Sequence, residues 1–246
     1  MLKEADTFNH TIHLNGKSYH YFAQNSPEWE KMVSTEIKDD RHTFGESGCA
    51  CTALANAIVN CVEPDALYRI QDIFVTPIRI DTTSLVRNRG VPYRNRFIIS
   101  SAEDYFRYFP LCIANYAAGN NRIGSRSPRS TAYYSKLFNF YNIPFRKTSS
   151  NSECLSALRS GDYVIMCSAG KHSPFSDVGH FILCIDIDDE YIYILDSYIR
   201  DHYPLDRQSL IEIIEPGLIR IVIEDFDLLS ISGTRFIVTP VEHSVF

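Results

Sequence analysis

Two cysteines stand at the start of a predicted helix in the segment SGCACTALANAI, residues 47–58. Cys49 follows Gly48 directly, and Leu54 and Ile58 recur behind it at helical spacing. The positive end of a helix dipole, with its unpaired backbone N–H groups, stabilises a thiolate and lowers its pKa. The same N–H groups point to the place where an oxyanion would form beside the sulfur. Cys49 is therefore a candidate nucleophile, and a nucleophilic thiol needs a base.

The second cysteine, Cys51, leaves two other interpretations open: a metal or disulfide pair with Cys49, or two small buried residues. The spacing is not typical of a zinc site, because no CxxC or HxxxH pair supplies the remaining ligands. Two positions along a helix correspond to about 200°, so we expect Cys51 to face the core. The chain has 7 cysteines, an odd number that predicts reduced thiols in a chain of this length. Those that lie among apolar neighbours are predicted to be buried: Cys112, Cys154, Cys167 and Cys184.

A base must come from the histidines, which are His10, His13, His20, His42, His172, His180, His202 and His243. His180 stands out because it opens a predicted strand directly after Gly179. The run from Asp188 to Glu190 predicts a tight turn between two β-rich segments, and we expect the resulting hairpin to place Asp196 opposite His180. A carboxylate there can hold the tautomer of the imidazole and orient the ring toward a nucleophile. A chance cross-strand contact is the alternative interpretation of this pair.

The first half of the chain contributes the cysteine helix and less regular structure. Asn15-Gly16 is typical of a type I′ turn and predicts an N-terminal hairpin. The segment NSPEW predicts a short helix that carries Trp29. A middle segment, at about residues 79–129, resembles an insertion rich in arginine. Its basic cluster is interpreted as a solvated loop, or as a contact for an acidic substrate or partner: Arg87, Arg89, Arg94 and Arg96.

The second half of the chain predicts most of the regular structure. Residues 131–141 have the spacing of an amphipathic helix, and Ser152 can cap a short helix that runs through Arg159. NIPFRKT is typical of a strand, and five β-rich segments follow: DYVIMCS, GHFILCIDI, EYIYILDS, GLIRIVI and TRFIVTP. Helices come mainly first and antiparallel strands last. The order predicts the α+β class and a single domain over residues 1–246.

A family resemblance rests on four of these stretches: YFAQNSPEW, SGCACTALANAI, SALRSGDYVIM and GHFILCIDIDDEYIYILDS. In this order they resemble the bacteriocin-processing-peptidase-like branch of the papain-like cysteine peptidases, relatives of the enzymes that cut double-glycine leader peptides. Members of the branch carry Tyr-x-x-Gln, then Gly-Cys-x-x-Thr-x-Leu-Ala on a helix, Leu-x-x-Gly before a strand, and Gly-His-Phe. The separation of Cys49 and His180, about 130 positions, is that of papain-type enzymes. The similarity covers most of the chain except the arginine-rich middle.

The resemblance implies a papain-like cysteine proteinase fold, in which a nucleophile helix from the N-terminal helical part packs on a C-terminal antiparallel sheet. By position it implies Cys49 as the nucleophile, His180 as general base and then acid, and Asp196 as the orienting carboxylate. Gln24 matches the family glutamine whose side-chain amide helps the Cys49 N–H to form the oxyanion hole. It implies no cofactor and no metal. The implied partner is a peptide or protein substrate.

Three functions remain open on these residues. The first is a thiol hydrolase that cleaves a peptide amide bond through an acyl-enzyme intermediate. The second is acyl transfer by the same triad, as in a transglutaminase, a deamidase or a peptide-bond-forming transferase. The third is a peptide-binding module without turnover. Many relatives have Gly-Pro where this chain has Ala50-Cys51, and Asp-Pro where it has Asp196-Ser197, and neither difference removes a catalytic group.

The length, composition and net charge of the chain argue against several classes of protein. A chain of 246 residues, 45% hydrophobic, can bury a full core. A formal net charge of −6 argues against a general nucleic-acid binder. No run approaches the roughly 18 apolar residues of a membrane helix, and the start MLKEADTFNHTIHLNG lacks the order of a signal peptide. We therefore expect a protein that stays inside the cell, unless an export segment is missing from this chain.

Overall fold

The structure, a computed structural model, describes residues 8–30, 44–73, 79–84, 93–98, 101–119, 131–169, 173–176, 179–200, 203, 208–229 and 231–240. The helices of these residues are α1 Phe44–Ser47, α2 Cys49–Val59, α3 Pro64–Leu67, α4 Ala102–Arg107, α5 Phe109–Gly119, α6 Tyr134–Phe140 and α7 Asn151–Arg159. The strands are β1 Asn9–Leu14, β2 Lys17–Phe22, β3 Arg79–Ser84, β4 Tyr93–Ile98, β5 Phe145–Thr148, β6 Tyr163–Ser168, β7 His180–Ile187, β8 Tyr191–Asp196, β9 Glu212–Glu215, β10 Leu218–Val222 and β11 Ile231–Val238. Three 3₁₀ segments complete the set: Tyr68–Ile73, Gln208–Leu210 and Ile223–Leu229.

The main sheet has seven strands in the order β5-β11-β6-β7-β8-β10-β9. Each neighbouring pair in it is antiparallel. Two further antiparallel hairpins, β1–β2 and β3–β4, lie earlier in the chain. Helices and a late antiparallel sheet together confirm the predicted α+β class. Among the described residues, no helix is long and apolar enough to cross a membrane.

The core lies on both faces of the main sheet. Along β7, Leu183 and Ile185 belong to the cluster that contains Leu54 of α2. The alternate residues Ile182 and Cys184 belong to a second cluster on the other face, with residues of α7. Because side chains alternate along a strand, a strand buried on both faces reads as a continuous apolar run. The run FILCI in β7 follows this rule.

Several sequence predictions are confirmed by these elements. Asn15 and Gly16 have φ values of 51° and 77°, as a type I′ turn between β1 and β2 requires. NIPFRKT contains β5, and the next four β-rich segments contain β6, β7, β8 and β10. The last segment, TRFIVTP, overlaps β11, which begins three residues before it. Cys49 is the first residue of α2, and His180 is the first residue of β7. Cys49 and His180 therefore lie on the predicted types of element, a helix and a strand.

Other local predictions are wrong. The segment NSPEW forms turns rather than a helix, with the indole of Trp29 donating to the carbonyl of Ala23 at 2.9 Å. Ser150 rather than Ser152 caps α7, because its hydroxyl accepts the N–H of Glu153 at 3.2 Å. By contrast, the helix predicted over residues 131–141 is confirmed, although it is shorter and spans Tyr134–Phe140.

The cysteine and arginine predictions have mixed outcomes. Cys112, Cys154 and Cys184 are buried, and none of the seven cysteines forms a disulfide. Cys167 is partly exposed instead, because it lies against Gly179, which offers no side chain to cover it. Arg94 and Arg96 lie on β4, whereas Arg87 and Arg89 lie outside the described residues.

Candidate active site

The β7–β8 hairpin brings His180 and Asp196 together, but in a register that differs from the predicted one. Asp196 pairs with Ile182, two positions beyond His180. The turn is centred one residue later than predicted, on Asp189 and Glu190, because Ile187 pairs with Ile192. The register shift between Cys184 and Asp186 reverses only part of this displacement. His180 is thus the diagonal neighbour of Asp196 on the same face, within reach of a long side chain. Its Nε2 lies 2.5 Å from Oδ1 of the carboxylate.

Two glycines fix the positions of the cysteine and the histidine. Gly179 has φ +111°, a conformation that other residues rarely adopt, directly before His180. Gly48, directly before Cys49, is required for a different reason, the close approach of its neighbours. A Cβ there would lie 2.6 Å from the carbonyl oxygen of Phe44 and 2.7 Å from its ring. The short α1 helix therefore packs against the point where α2 begins.

The Cys49 thiol is partly exposed and lies in the midst of hydrogen-bond donors. Burial by itself raises its pKa. A hydrogen bond from His180, the positive charge of that ring, and the backbone N–H groups of Phe181 and Ala50 lower the pKa. Their combined effect outweighs burial and holds the pKa of Cys49 below its ordinary value. These donors favour the thiolate, which is the reactive form of a cysteine.

The His180 imidazole is 4% exposed and carries the opposite shift. Burial lowers its pKa, but the charge of Asp196 and the hydrogen bonds to Asp196 and Cys49 raise the pKa to about 9. The ring of Phe175 stacks on the imidazole at a centroid distance of 5.8 Å and an interplanar angle of 26°. A lowered thiol pKa and a raised imidazole pKa are the two shifts that favour a thiolate–imidazolium pair over a neutral thiol and imidazole.

The Asp196 carboxylate is 1% exposed and has donors on both oxygens. Oδ1 also accepts the backbone N–H of Tyr198 at 3.0 Å. Oδ2 accepts the hydroxyl of Tyr203 at 2.6 Å and Nε of Arg200 at 3.4 Å. Burial raises the pKa of Asp196, and the charge and hydrogen bond of His180 together with Arg200 and Tyr203 bring it below its ordinary value. The carboxylate is thereby kept ionised.

Sequence reasoning missed three of the residues around this pair: Phe175, Arg200 and Tyr203. Each lies in a segment without strand or helix periodicity, so no local pattern indicates which side chains it turns inward. Ser197 was noted only as a departure from the family pattern. Its hydroxyl donates to the carbonyl of Phe181 at 2.8 Å and lies 3.3 Å from Nε2 of His180.

Gln24, the predicted oxyanion donor, is 3% exposed and held at two points. Its backbone N–H donates to the carbonyl of Ser197 at 2.6 Å. Its side-chain Nε2 donates to the carbonyl of Gly45 at 2.6 Å, in the α1 helix that precedes Cys49. Oε1 is buried and has no hydrogen-bond partner among the described residues. Within the described ranges, one amide hydrogen of Nε2 is left for another acceptor. The oxyanion role of Gln24 stays a prediction.

Cys51 differs from Cys49 in its exposure and in the direction of its pKa shift. It is fully buried, as the helical geometry predicts, and its Sγ lies 3.2 Å from the hydroxyl of Tyr133. Burial raises its pKa to about 12. The adjacent Tyr134 donates its hydroxyl to the carbonyl of Ala50 at 2.5 Å. Cys51 and the two tyrosines therefore fix the first turn of α2.

The other histidines do not join the site in the part of the chain that the structure describes. His10, His13 and His20 lie on β1 and β2, and His42, His172, His202 and His243 lie outside the described residues. No three His, Cys, Asp or Glu side chains within the described ranges are grouped so that they could hold a metal ion.

The fold and the site together define an α+β protein with a Cys–His–Asp arrangement where a helix N-terminus meets the ends of two interior strands, β7 and β8, of an antiparallel sheet. The sequence matches no protein-family model, and a search of curated proteins finds no match.

Proposed function

We propose that this chain is a papain-like cysteine peptidase, a thiol hydrolase that cleaves a peptide amide bond through an acyl-enzyme intermediate. The observation that carries the proposal is the hydrogen-bonded series from Cys49 through His180 to Asp196, with the thiol pKa lowered. The packing of α2 against β7 of an antiparallel sheet supports the papain-like fold. Gln24, held against the helix before Cys49, supports the oxyanion assignment.

The first chemical step is attack of the Cys49 thiolate on the carbonyl carbon of the scissile amide. The C–S bond forms as the carbonyl π electrons move onto oxygen. The backbone N–H of Cys49 and the second amide hydrogen of Gln24 stabilise the oxyanion. No proton has to leave the thiol during the attack, because His180 already holds it.

The second step expels the amine and then releases the acyl group. The His180 imidazolium gives its proton to the leaving nitrogen as the C–N bond breaks, which leaves a neutral ring and a thioester. The neutral ring then takes a proton from water, which attacks the thioester. The thiolate departs from the second tetrahedral intermediate, and His180 keeps the proton. Asp196 holds the ring in one orientation throughout.

A panel of peptides screened by mass spectrometry tests this proposal, together with a set of peptidyl acyloxymethyl ketones that alkylate reactive cysteines. We expect cleavage of a subset of peptides and covalent labelling at Cys49. C49A should lower kcat/KM on the order of 10⁴-fold or more, since removal of a nucleophile abolishes the acyl-enzyme route.

C51A is the matched control, because Cys51 is a buried thiol two positions away on the same helix. It should keep cleavage and labelling within a small factor of the wild type. Cleavage that persists in C49A, or a label that maps to Cys51, would contradict the proposal. Transfer of the acyl group to an added amine in preference to water would move the assignment to an acyltransferase.

A further inference from the structure

The carboxylate of Asp196 can rotate about the bonds of its side chain. Its orientation is therefore set by the hydrogen bonds of its two oxygens. Oδ1 contacts His180, whereas Oδ2 points to the segment that follows β8. There the hydroxyl of Tyr203 donates at 2.6 Å, and Nε of Arg200 lies at 3.4 Å. The backbone carbonyl of Asp196 accepts the hydroxyl of Tyr21 at 2.7 Å. Of the two donors on Oδ2, Tyr203 makes the shorter contact.

Tyr203 contacts the imidazole side of the site as well. Its ring packs edge-on against Phe175, with centroids 5.9 Å apart and an interplanar angle of 85°. Phe175 in turn stacks on His180. Tyr203 is 4% exposed, and Arg200 keeps 21% of its side chain accessible. Burial and the charge of Asp196 raise the pKa of the phenol far above its ordinary value, so the hydroxyl stays a donor.

We propose that Tyr203 is a positioning residue for the triad. Its hydroxyl fixes Oδ2 of Asp196, so that Oδ1 remains directed at Nε2 of His180. Its ring supports the ring of Phe175, which stacks on the imidazole. This inference rests on the proposed function, because it concerns the geometry of the same thiolate–imidazolium pair. A hydrogen bond to a charged group is among the stronger ones in proteins, since the buried charge has no water to replace a lost donor.

The test compares Y203F with Y141F in the rate of Cys49 alkylation by iodoacetamide as a function of pH. Both substitutions remove one buried phenolic hydroxyl and one hydrogen bond. Tyr141 is 5% exposed and donates to the carbonyl of Leu67 at 2.8 Å, away from the triad. Equal losses in thermal stability would show that the two changes are structurally matched.

We expect Y203F to slow alkylation at pH 7 about tenfold, with the thiol titration moved to higher pH. The Y141F profile should coincide with that of the wild type. A Y203F profile that coincides with Y141F, while H180A removes the reactivity, would overturn the role of Tyr203 and leave the proposed function intact. A wild-type Cys49 that does not depend on His180 would overturn both.

Discussion

The site depends on one buried charge, the carboxylate of Asp196. Burial alone would lower the pKa of His180 and raise that of Cys49, which would leave a neutral imidazole beside a thiol. Asp196 reverses this outcome by stabilising the imidazolium, and the imidazolium in turn stabilises the thiolate. Each member of the series therefore holds its neighbour in the charged form.

Removal of this charge is a test at the scale of one residue. D196N keeps the shape of the side chain but leaves burial as the largest influence on the pKa of His180, which should fall well below about 9. Cys49 then becomes a thiol at neutral pH, and its alkylation rate at pH 7 should fall on the order of 10²-fold. The rate should recover as the pH is raised through the new thiol pKa.

D186N is the control for this substitution. Asp186 lies on β7, is 9% exposed, and accepts from Asn15 at 3.1 Å with Lys17 at 3.7 Å. It has no contact with the triad among the described residues. Its substitution should leave the alkylation profile in place. An unchanged profile in D196N would show that Asp196 does not sustain the ion pair.

The proximity of Cys49 and His180 was predictable because each lies at the start of a regular element with a local signature. A glycine followed by cysteine and an apolar helix identifies Cys49, and a glycine followed by histidine and an apolar strand identifies His180. Tyr203 and Phe175 have no such signature. Their contacts depend on how irregular segments return to the sheet, and this path is set by tertiary packing rather than by periodicity.

At the scale of elements, the junction of α1 and α2 decides where the thiol lies. The backbone at Gly48 approaches Phe44 so closely that a methyl group has no room. We expect G48A to lower the free energy of unfolding by about 1–3 kcal/mol through overpacking. We also expect it to slow Cys49 alkylation, because α2 must shift away from His180.

G16A provides the control for an added methyl group on glycine. Gly16 has φ +77°, but no atom lies within 4 Å of the position that its Cβ would take. This substitution introduces backbone strain in the β1–β2 turn, so denaturant unfolding should reveal a loss of stability here too. Only G48A should change the reactivity of Cys49. Equal rates of Cys49 alkylation in G48A and G16A would contradict the proposal that the junction of α1 and α2 places the thiol beside His180.

A second junction joins the end of β2 to the end of β8. The N–H of Gln24 donates to the carbonyl of Ser197, and the Asn25 amide pairs with both backbone groups of Ile199 at 3.0 Å. The segment of the predicted oxyanion donor and the end of the carboxylate strand are thus connected by one main-chain hydrogen bond and by the side chain of Asn25. The sequence showed both elements but not this connection. The predicted β7–β8 register was wrong because three acidic residues in succession, Asp188 to Glu190, do not show on which pair the turn is centred, and a continuous apolar run does not fix the register.

At the scale of the whole molecule, two apolar clusters share one sheet. The α+β class was predictable because five strongly apolar segments follow one another late in the chain. The sequence pattern did not predict β9. Its four residues, EIIE, are too few to show an alternating pattern, and both isoleucines are exposed. The shared sheet supports the prediction of one domain, because neither cluster can lose its strands without exposing the other.

Equilibrium unfolding tests that prediction with the single tryptophan. Trp29 is 1% exposed in the first cluster, whereas Ile194 belongs to the second cluster on the opposite face. Trp29 fluorescence and far-UV circular dichroism should give coincident transitions. I194A should lower the free energy of unfolding by about 2–5 kcal/mol by both probes. A Trp29 transition that I194A leaves unmoved would indicate two independent units.

The most direct measurement of the central claim is the pH dependence of Cys49 alkylation by iodoacetamide in the wild type and in H180A. H13A serves as the control, because His13 lies on β1 and contacts Ser18 at 3.0 Å. In the wild type and in H13A, we expect the Cys49 thiol to titrate below the ordinary cysteine pKa of about 8.5. In H180A the titration should move above that value, since burial then dominates. A Cys49 that is unreactive, or that titrates identically with and without His180, would contradict the account.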